Sequence, residues 1–466
     1  MKLMRGAADA AVATSNRTAS EHRRMFVFIL RFDARIRRIY TAARMRLNVT
    51  SEIGRLKSVL VHLPGREIDV MVPPMMNQLL FDDILYGQVA REEHRRFQQL
   101  IRFVADEVLD TQDLLEEVLE DDETKDSIVR DLAKRNGFTR RLTQWLREQR
   151  AGALAEVLIG GIASEKGGGE LPKFELYPVP NYFFARDPQV VLGDGVVICG
   201  MATQARRRES LLSKYVIENH PRFRNGGRIH TDFMAGDERE RPVSRKAPTL
   251  EGGDVIVAAR DLILLGVTER TNRAGVQQLA RALKKSDAGV RTILAVELPR
   301  QRSFMHLDTV FTFTSRHECL IYPPVILPDG SQAASVYAID LTKRSISFSP
   351  QKSLLGALRR RGFELEPIYC GGKRAVDQQR EQWTDGANAF ALAPGIILLY
   401  ERNVRTAEEL AAHGYHIVYE DDLLLGRTEL ETWTNRKYAI QMQGHELSRA
   451  RGGPRCMTMP LEREDV

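Results

Sequence analysis

Two apolar runs meet at an Asp-Gly pair in VVLGDGVVI (190–198), which reads as a β-hairpin, since Asp-Gly tolerates the left-handed backbone a tight turn needs. DVIVAARDLILLG (254–266), two apolar runs about a polar pair, reads as a second hairpin. After the second hairpin the sequence predicts a helix capped near Thr271 and running through GVQQLARALKK, then a strand in VRTILAVELP (290–299). LKSVLVHLPG (56–65) adds a buried strand ended by Pro-Gly. Near the other end, Thr406 and Glu409 predict a capping box, and Gly414 a helix stop. Units of strand pair, helix and strand thus recur without a clean sequence period, which predicts an α/β body.

A different texture interrupts that body. Residues 74–104 read as mostly helical, and a longer block, 111–163, has apolar residues spaced by three and four. Leu142, Trp145 and Leu146, then Leu154, Val157 and Leu158, mark this spacing; Gly137 is a stop for the middle helix. SEKGGGELPK (164–173) reads as a flexible loop. The expected organisation is an α/β domain over 45–110 and 164–466, an inserted helical domain over 111–163, and a basic extension over 1–44.

Charge and cysteine usage exclude several function classes. The overall net charge is +6, but residues 1–44 carry ten Lys and Arg against three acids. The remaining chain is therefore close to neutral at −1, which removes support for nucleic-acid binding by the body. Residues 1–44 could be a transit peptide or basic arm, or sequence ahead of a start at Met45; the second reading is the expectation here. The four cysteines are far apart, so no CxxC knuckle or redox pair exists. Their usage suits a reducing, cytoplasmic setting. No apolar run is long enough to span a bilayer.

Four polar stretches are unusual for structure alone. PNYFFARDP (180–188) places Asp187 after an aromatic run, where a strand should end; by itself it could be an Asx-capped turn. In TLEGGDVIV (249–257), Glu251 and Asp254 flank paired glycines that allow close backbone approach or positive φ. In SFMHLDTVFTF (303–313), His306 and Asp308 alternate with neighbours and should share one strand face, an arrangement suited to proton transfer. A lone histidine without HxH or HExxH gives little support for a metal. In RGGPRCMTMP, Cys456 lies near Arg449, Arg451 and Arg455, cations expected to favour its thiolate. Carboxylates around a thiolate oppose ionisation, so the set makes most sense with a cationic substrate. A planar guanidinium, which pairs with carboxylates by two parallel hydrogen bonds, fits.

With SVLVHLPGREID, PNYFFARDP, EGGDV, MHLDTVF, REQWTDGAN and GGPRCMTMP in that order, the chain resembles the arginine deiminase family of guanidine-modifying (pentein) enzymes. The resemblance runs from about Ser51 to the C-terminus. It implies a five-bladed α/β propeller with the inserted helices, hydrolysis of L-arginine to citrulline and ammonia, no cofactor or metal, and a homo-oligomer. It further implies Cys456 as nucleophile, Asp187 and Asp308 as guanidinium-holding carboxylates, and His306 with Glu251 as the acid–base pair. Asn181, Arg206, Arg270 and Arg451 match positions that hold the ends of the amino acid, and Asp254 a supporting acid. Ala185 stands where the family usually has Thr, and KRAVDQQREQW departs from its pattern. The alternatives are a dimethylarginine hydrolase or amidinotransferase, or a non-catalytic arginine-binding protein. The helical insertion and the set Arg206, Arg270 and Arg451 speak against the first two; the complete catalytic set speaks against the third.

Overall fold

The computed structural model describes residues 45–164, 174–224, 228–235, 247–286 and 288–466. The basic extension 1–44 and all but the first residue of the loop 164–173 lie outside the described residues. The unit that carries nearly all described residues, Arg46–His220 with Gly227–Val466, contains both the sheets and the helices of 111–163.

Five structural units repeat one plan: two antiparallel strands, a helix, and a third strand parallel to the second. The first pairs Gln189–Leu192 with Gly195–Ile198, crosses by the helix Arg207–Asn219, and returns as Arg228–Asp232. The second uses Val255–Ala259, Leu262–Val267, the helix Arg273–Ser286 and Thr292–Glu297, with Ser335–Asp340 and Ser349–Gln351 added at its edge. Phe311–Phe313, Glu318–Ile321, Leu354–Arg359 and Glu366–Tyr369 form the third. The fourth joins Phe390–Ala393, Ile396–Tyr400, the helix Val404–Ala412 and Lys437–Met442, with Tyr415–Tyr419 outside. The fifth is assembled from both ends of the chain. Met459–Arg463 lies antiparallel to Leu56–Val61, and after the helix Gly87–Ile101 the strand Glu107–Asp110 runs parallel to Leu56–Val61. A parallel return needs a crossover, and the helix provides it while covering one sheet face.

This pairing holds the cysteine segment around residue 456 in the body: the last strand is sealed against the first. Met457, Met459 and Leu461 are fully buried there. Two apolar clusters hold the units together. One gathers Leu264, Leu294, Phe311 and Leu320, the other Leu56, Phe97, Phe390 and Ile440. Each such side chain contributes about 1.5–3 kcal/mol by leaving water.

The 111–163 block is four helices: Thr111–Leu119, Asp122–Asn136, Arg140–Glu148 and Ala151–Gly160. Gly137 ends the second at φ +66°. The segment from Phe138 to Ala163 is two helices, not one, because Gln149 and Arg150 are extended. Trp145 lies on its exposed side. The block is tied to the body where Tyr215 donates to Asp131 at 2.9 Å and contacts Ser127 at 3.2 Å.

Three local expectations need correction. His306 and Asp308 do not share a strand: His306 precedes a 3-10 turn, Leu307–Thr309, because Leu307 N donates to Asp254 and Thr309 N to His306 O. Asp187 lies just before a strand rather than at the end of one, after the turn Pro180–Phe183. Thr406 and Glu409 make no capping box. That helix begins at Val404, and Glu381 from a neighbouring helix accepts from Arg405 N and Thr406 N at 2.7 and 2.8 Å. By contrast, the helix expected to be capped near Thr271 is capped one residue further on: it starts at Arg273, with Asn272 Oδ1 accepting from Gly275 N at 2.8 Å.

Candidate active site

Loops and 3-10 turns at the ends of the units supply the polar side chains, where strand pairing leaves backbone free to bend. Asn181, Asp187, Arg206, Arg270, His306, Arg451 and Cys456 line one cavity together with Arg302 and the apolar Leu80, Phe184 and Met305. Its free volume is about 20 Å³, room for little more than one water.

The glycine pairs work by close approach, not by positive φ. A Cβ on Gly253 would lie 2.5 Å from His306 Nδ1 and 3.0 Å from Asp187 Oδ1, and one on Gly252 would strike Arg186 O at 2.0 Å. On the C-terminal segment, a Cβ on Gly452 would enter the Phe184 ring and one on Gly453 would meet Asn388. Arg451 itself adopts φ +64°, unusual for a side-chain-bearing residue.

His306 Nε2 and Glu251 Oε2 are 2.9 Å apart, and His306 Nδ1 lies 3.7 Å from Asp187 Oδ1. Burial would push the imidazolium down, but Asp187 and Glu251 outweigh it and raise His306 to about 9. Against its own burial, Glu251 is held down at about 2 by Arg270, His306 and Arg206. At neutral pH the pair is thus imidazolium and carboxylate, with a proton ready to give. Asp187 Oδ1 accepts from Gly253 N at 3.1 Å, and its Oδ2 from Arg206 Nη1 at 2.6 Å.

Cys456 Sγ is 3.9 Å from Asp308 Oδ2, and Cys456 N donates to Asn388 Oδ1 at 3.1 Å. All four cysteines are unpaired and buried. The expectation that nearby arginines favour the Cys456 thiolate does not hold in the free protein. Burial, then Asp308, Asp187 and Asp385, push it well above an ordinary thiol. The arginines are engaged elsewhere. Arg449 pairs with Asp83 and Glu446, Arg455 with Asp308 and Glu52, and Arg451 lies over the Trp383 ring at 3.4 Å. Arg451 Nε and Nη1 have no hydrogen-bond partner among the described residues.

The remaining candidates divide. Asn181 Nδ2 donates to Leu79 O at 2.6 Å, and Arg270 Nη1 lies 3.8 Å from Glu251. Asp254 does not line the cavity. Its oxygens accept from Thr268 Oγ1 and Leu307 N, both at 2.9 Å, so it braces the turn that carries His306. Burial lifts its carboxyl to about 7. Asp187, Glu251 and His306 are near enough to share an ion. Their donor set does not suit one: Arg206 lies 2.6 Å from Asp187 and 3.8 Å from Glu251, with Arg270 also 3.8 Å from Glu251. A metal ion would meet those charges.

Sequence reasoning overlooked Asn388, Glu52 and Glu209. Asn388 joins Cys456 N to Asp308 O, donating to the latter at 3.1 Å. Glu209 holds Arg206 Nε and Nη2 at 2.8–3.1 Å. Its i, i+3 spacing from Arg206 was a visible signal; nothing local marks Glu52, whose partner is 403 residues away.

The family model described as arginine deiminase matches residues 77–463. The chain is 34% identical over 437 residues to an arginine deiminase of Listeria monocytogenes serotype 4a (strain HCC23), covering 90% of this chain and 98% of that one. It is 33% identical over 438 residues to one from Bacillus cytotoxicus, covering 90% and 99%. Among solved structures, an amidinotransferase of the saxitoxin biosynthetic pathway from Microseira wollei matches with a TM-score of 0.50 at 13% identity, over 90% of this chain and 98% of that one. That last likeness concerns the mixed α/β fold alone.

Proposed function

The chain belongs to the arginine deiminase family, and we propose that it hydrolyses L-arginine to L-citrulline and ammonia through a covalent adduct on Cys456. The observation that carries this mechanism is the buried His306, held 2.9 Å from Glu251 behind it, on the cavity that Cys456 and Asp187 also line.

Asp187 and Asp308 hold the substrate guanidinium. Its charge offsets the carboxylates that keep Cys456 protonated. A cation about 4 Å away at an effective dielectric of 20 is worth about 4 kcal/mol, or about three pKa units, which draws a thiol that burial and acids suppress towards its thiolate. As the cation binds, the Cys456 thiol loses its proton to solvent, and the thiolate attacks the guanidinium carbon and forms the C–S bond. His306 gives its proton to the departing nitrogen, the C–N bond breaks, and ammonia leaves a thiouronium. Neutral His306 then takes a proton from water, which adds to the same carbon as hydroxyl. The C–S bond breaks with its electron pair on sulfur, the hydroxyl proton passes to that sulfur, and citrulline is released beside the restored thiol. Arg206, Arg270, Arg451 and Asn181 hold the amino and carboxylate ends; forked donors suit the carboxylate. With so little free volume, lining side chains such as Arg451 must withdraw for arginine to enter.

In this reading the five units close into a propeller, the enzyme is cytoplasmic, and it assembles as a homo-oligomer. No helix among the described residues is long and apolar enough to cross a membrane. Product analysis with L-arginine and no added metal tests the reaction. Citrulline and ammonia in equal amounts are expected. Turnover of dimethylarginine or amidino transfer instead would overturn the assignment.

A further inference from the structure

The two carboxylates assigned to the guanidinium are held in the same way. Asp308 Oδ2 accepts from Arg455 Nη1 at 2.7 Å, while Arg455 Nε and Nη2 turn back to Glu52 at 3.2 and 3.1 Å. Asp187 Oδ2 accepts from Arg206 Nη1 at 2.6 Å, while Arg206 Nε and Nη2 turn back to Glu209. Each carboxylate therefore leans on an arginine whose remaining fork is filled by a glutamate.

The Asp308 arm is the more informative, because it lies against the sulfur. Arg455 is 1% exposed and Glu52 7%. Val257 N donates to Glu52 Oε1 at 3.1 Å, and Arg455 Nη2 to Val255 O at 2.8 Å, so strand backbone fixes both residues. Asp308 Oδ1 is buried and has no hydrogen-bond partner among the described residues. The balance of charge decides what this arm can do. Alone, Arg455 would cancel Asp308 and remove its attraction for a cation. With Glu52 present, the fork of Arg455 is divided between two carboxylates, so Asp308 is only partly neutralised, with one oxygen pinned and one free; Arg186 acts on both carboxylates and Arg463 on Glu52, and neither is altered in the test. An unpinned carboxylate would rotate, since its terminal torsion is broad.

We propose that Glu52 and Arg455 are positioning residues that act through Asp308. Arg455 orients the carboxylate, and Glu52 stops Arg455 from neutralising it fully. The pair thereby sets the site's preference for a cation over a neutral group and keeps the Cys456 thiol protonated until that cation arrives. This deepens the deiminase reading and rests on Asp308 holding the guanidinium. The charged groups that act on Cys456 or share its cavity are Asp308, Asp187 and Asp385 on one side and His306, Arg206, Arg270, Arg302 and Arg451 on the other. None of them is altered in the test.

The test is alkylation of Cys456 in the full chain by cationic 2-chloroacetamidine and by neutral 2-chloroacetamide across pH. The parent should prefer the cation. In Glu52→Gln the preference should fall about tenfold, and reaction with the neutral reagent should move to lower pH, because Asp308 no longer opposes ionisation. Glu52→Asp should recover part of both. A purely structural defect would slow both reagents together and would not make the thiol more acidic. If Glu52→Gln does not fold, Arg455→Lys decides the matter: an ammonium cannot grip Glu52 and Asp308 with one planar fork, so the preference should again fall. An unchanged preference and pH profile in a folded variant would overturn the inference. Alkylation is read without turnover, so failure of the parent to make citrulline would count against the deiminase reading instead.

Discussion

Replacing Gly253 with alanine should nearly silence the enzyme without unfolding it. The added Cβ would sit 2.5 Å from His306 Nδ1, 2.7 Å from its Cγ and 3.0 Å from Asp187 Oδ1, where ordinary contact begins at 3.4 Å. Gly253 has no positive φ, so the alanine backbone is unstrained and the clash is the whole effect. The imidazole must retreat by about 1 Å, against a 2.9 Å bond to Glu251 on its far nitrogen. A misplacement of about 1 Å costs about 100-fold in rate, or about 2.7 kcal/mol at 1.36 kcal/mol per tenfold. Overpacking adds about 1–3 kcal/mol of instability, enough to lower Tm by about 1–3 °C in a chain of this length. Citrulline formation under saturating arginine and a thermal melt measure the two effects. Gly137→Ala is the control. Gly137 has φ +66° and nothing within 4 Å, so it should lose about 1 kcal/mol of stability from the left-handed backbone and no activity. A folded Gly253→Ala enzyme within threefold of the parent's kcat would refute the claim that this contact sets the position of His306.

Three further outcomes follow from the charges. Glu251→Gln removes a carboxylate that raises His306, so the alkaline limb of the kcat/KM profile should move to lower pH and kcat should fall at least tenfold; an unmoved limb would dissociate the pair. His62, buried and held charged by Asp110 and Glu67 despite burial, is raised from 6.5 to about 10. Its contribution is complete below pH 6.5 and lost as pH rises through about 10. His62→Gln should therefore cost about 3 kcal/mol at pH 6, and the gap in Tm should narrow towards pH 10; a constant gap would contradict the assignment. Asn388→Ala leaves the Cys456 amide buried without its side-chain acceptor, at a cost of about 1–3 kcal/mol, and should lower kcat as well as Tm. Loss of stability alone would reduce Asn388 to a structural role.

The hairpins at 189–198 and 255–267 are legible in the sequence because their turns and apolar runs are local signals. The strand Leu56–Val61 can be read too, but not its partner: pairing with Met459–Arg463 spans the whole chain and leaves no local trace. For the same reason the Glu52–Arg455 pair is invisible, while residues 306 and 308 stand out but read as a strand. Alternation in the sequence suggests the strand, and a hydrogen bond from Leu307 to the distant Asp254 overrides it. The acid environment of Cys456 can be anticipated from the polar stretches, yet the nearby arginines mislead. Whether a cation acts on a thiol depends on what else it touches, and Arg449 and Arg455 are already paired.

Every later step depends on attack by Cys456 on the guanidinium carbon. Rapid acid quench of the enzyme with L-arginine, followed by mass spectrometry of the peptide containing residue 456, tests it most directly. A transient adduct on Cys456 should form and decay at rates able to support turnover, and a folded Cys456→Ala variant should give neither adduct nor citrulline. Citrulline production by that variant, or an adduct on another residue, would contradict it.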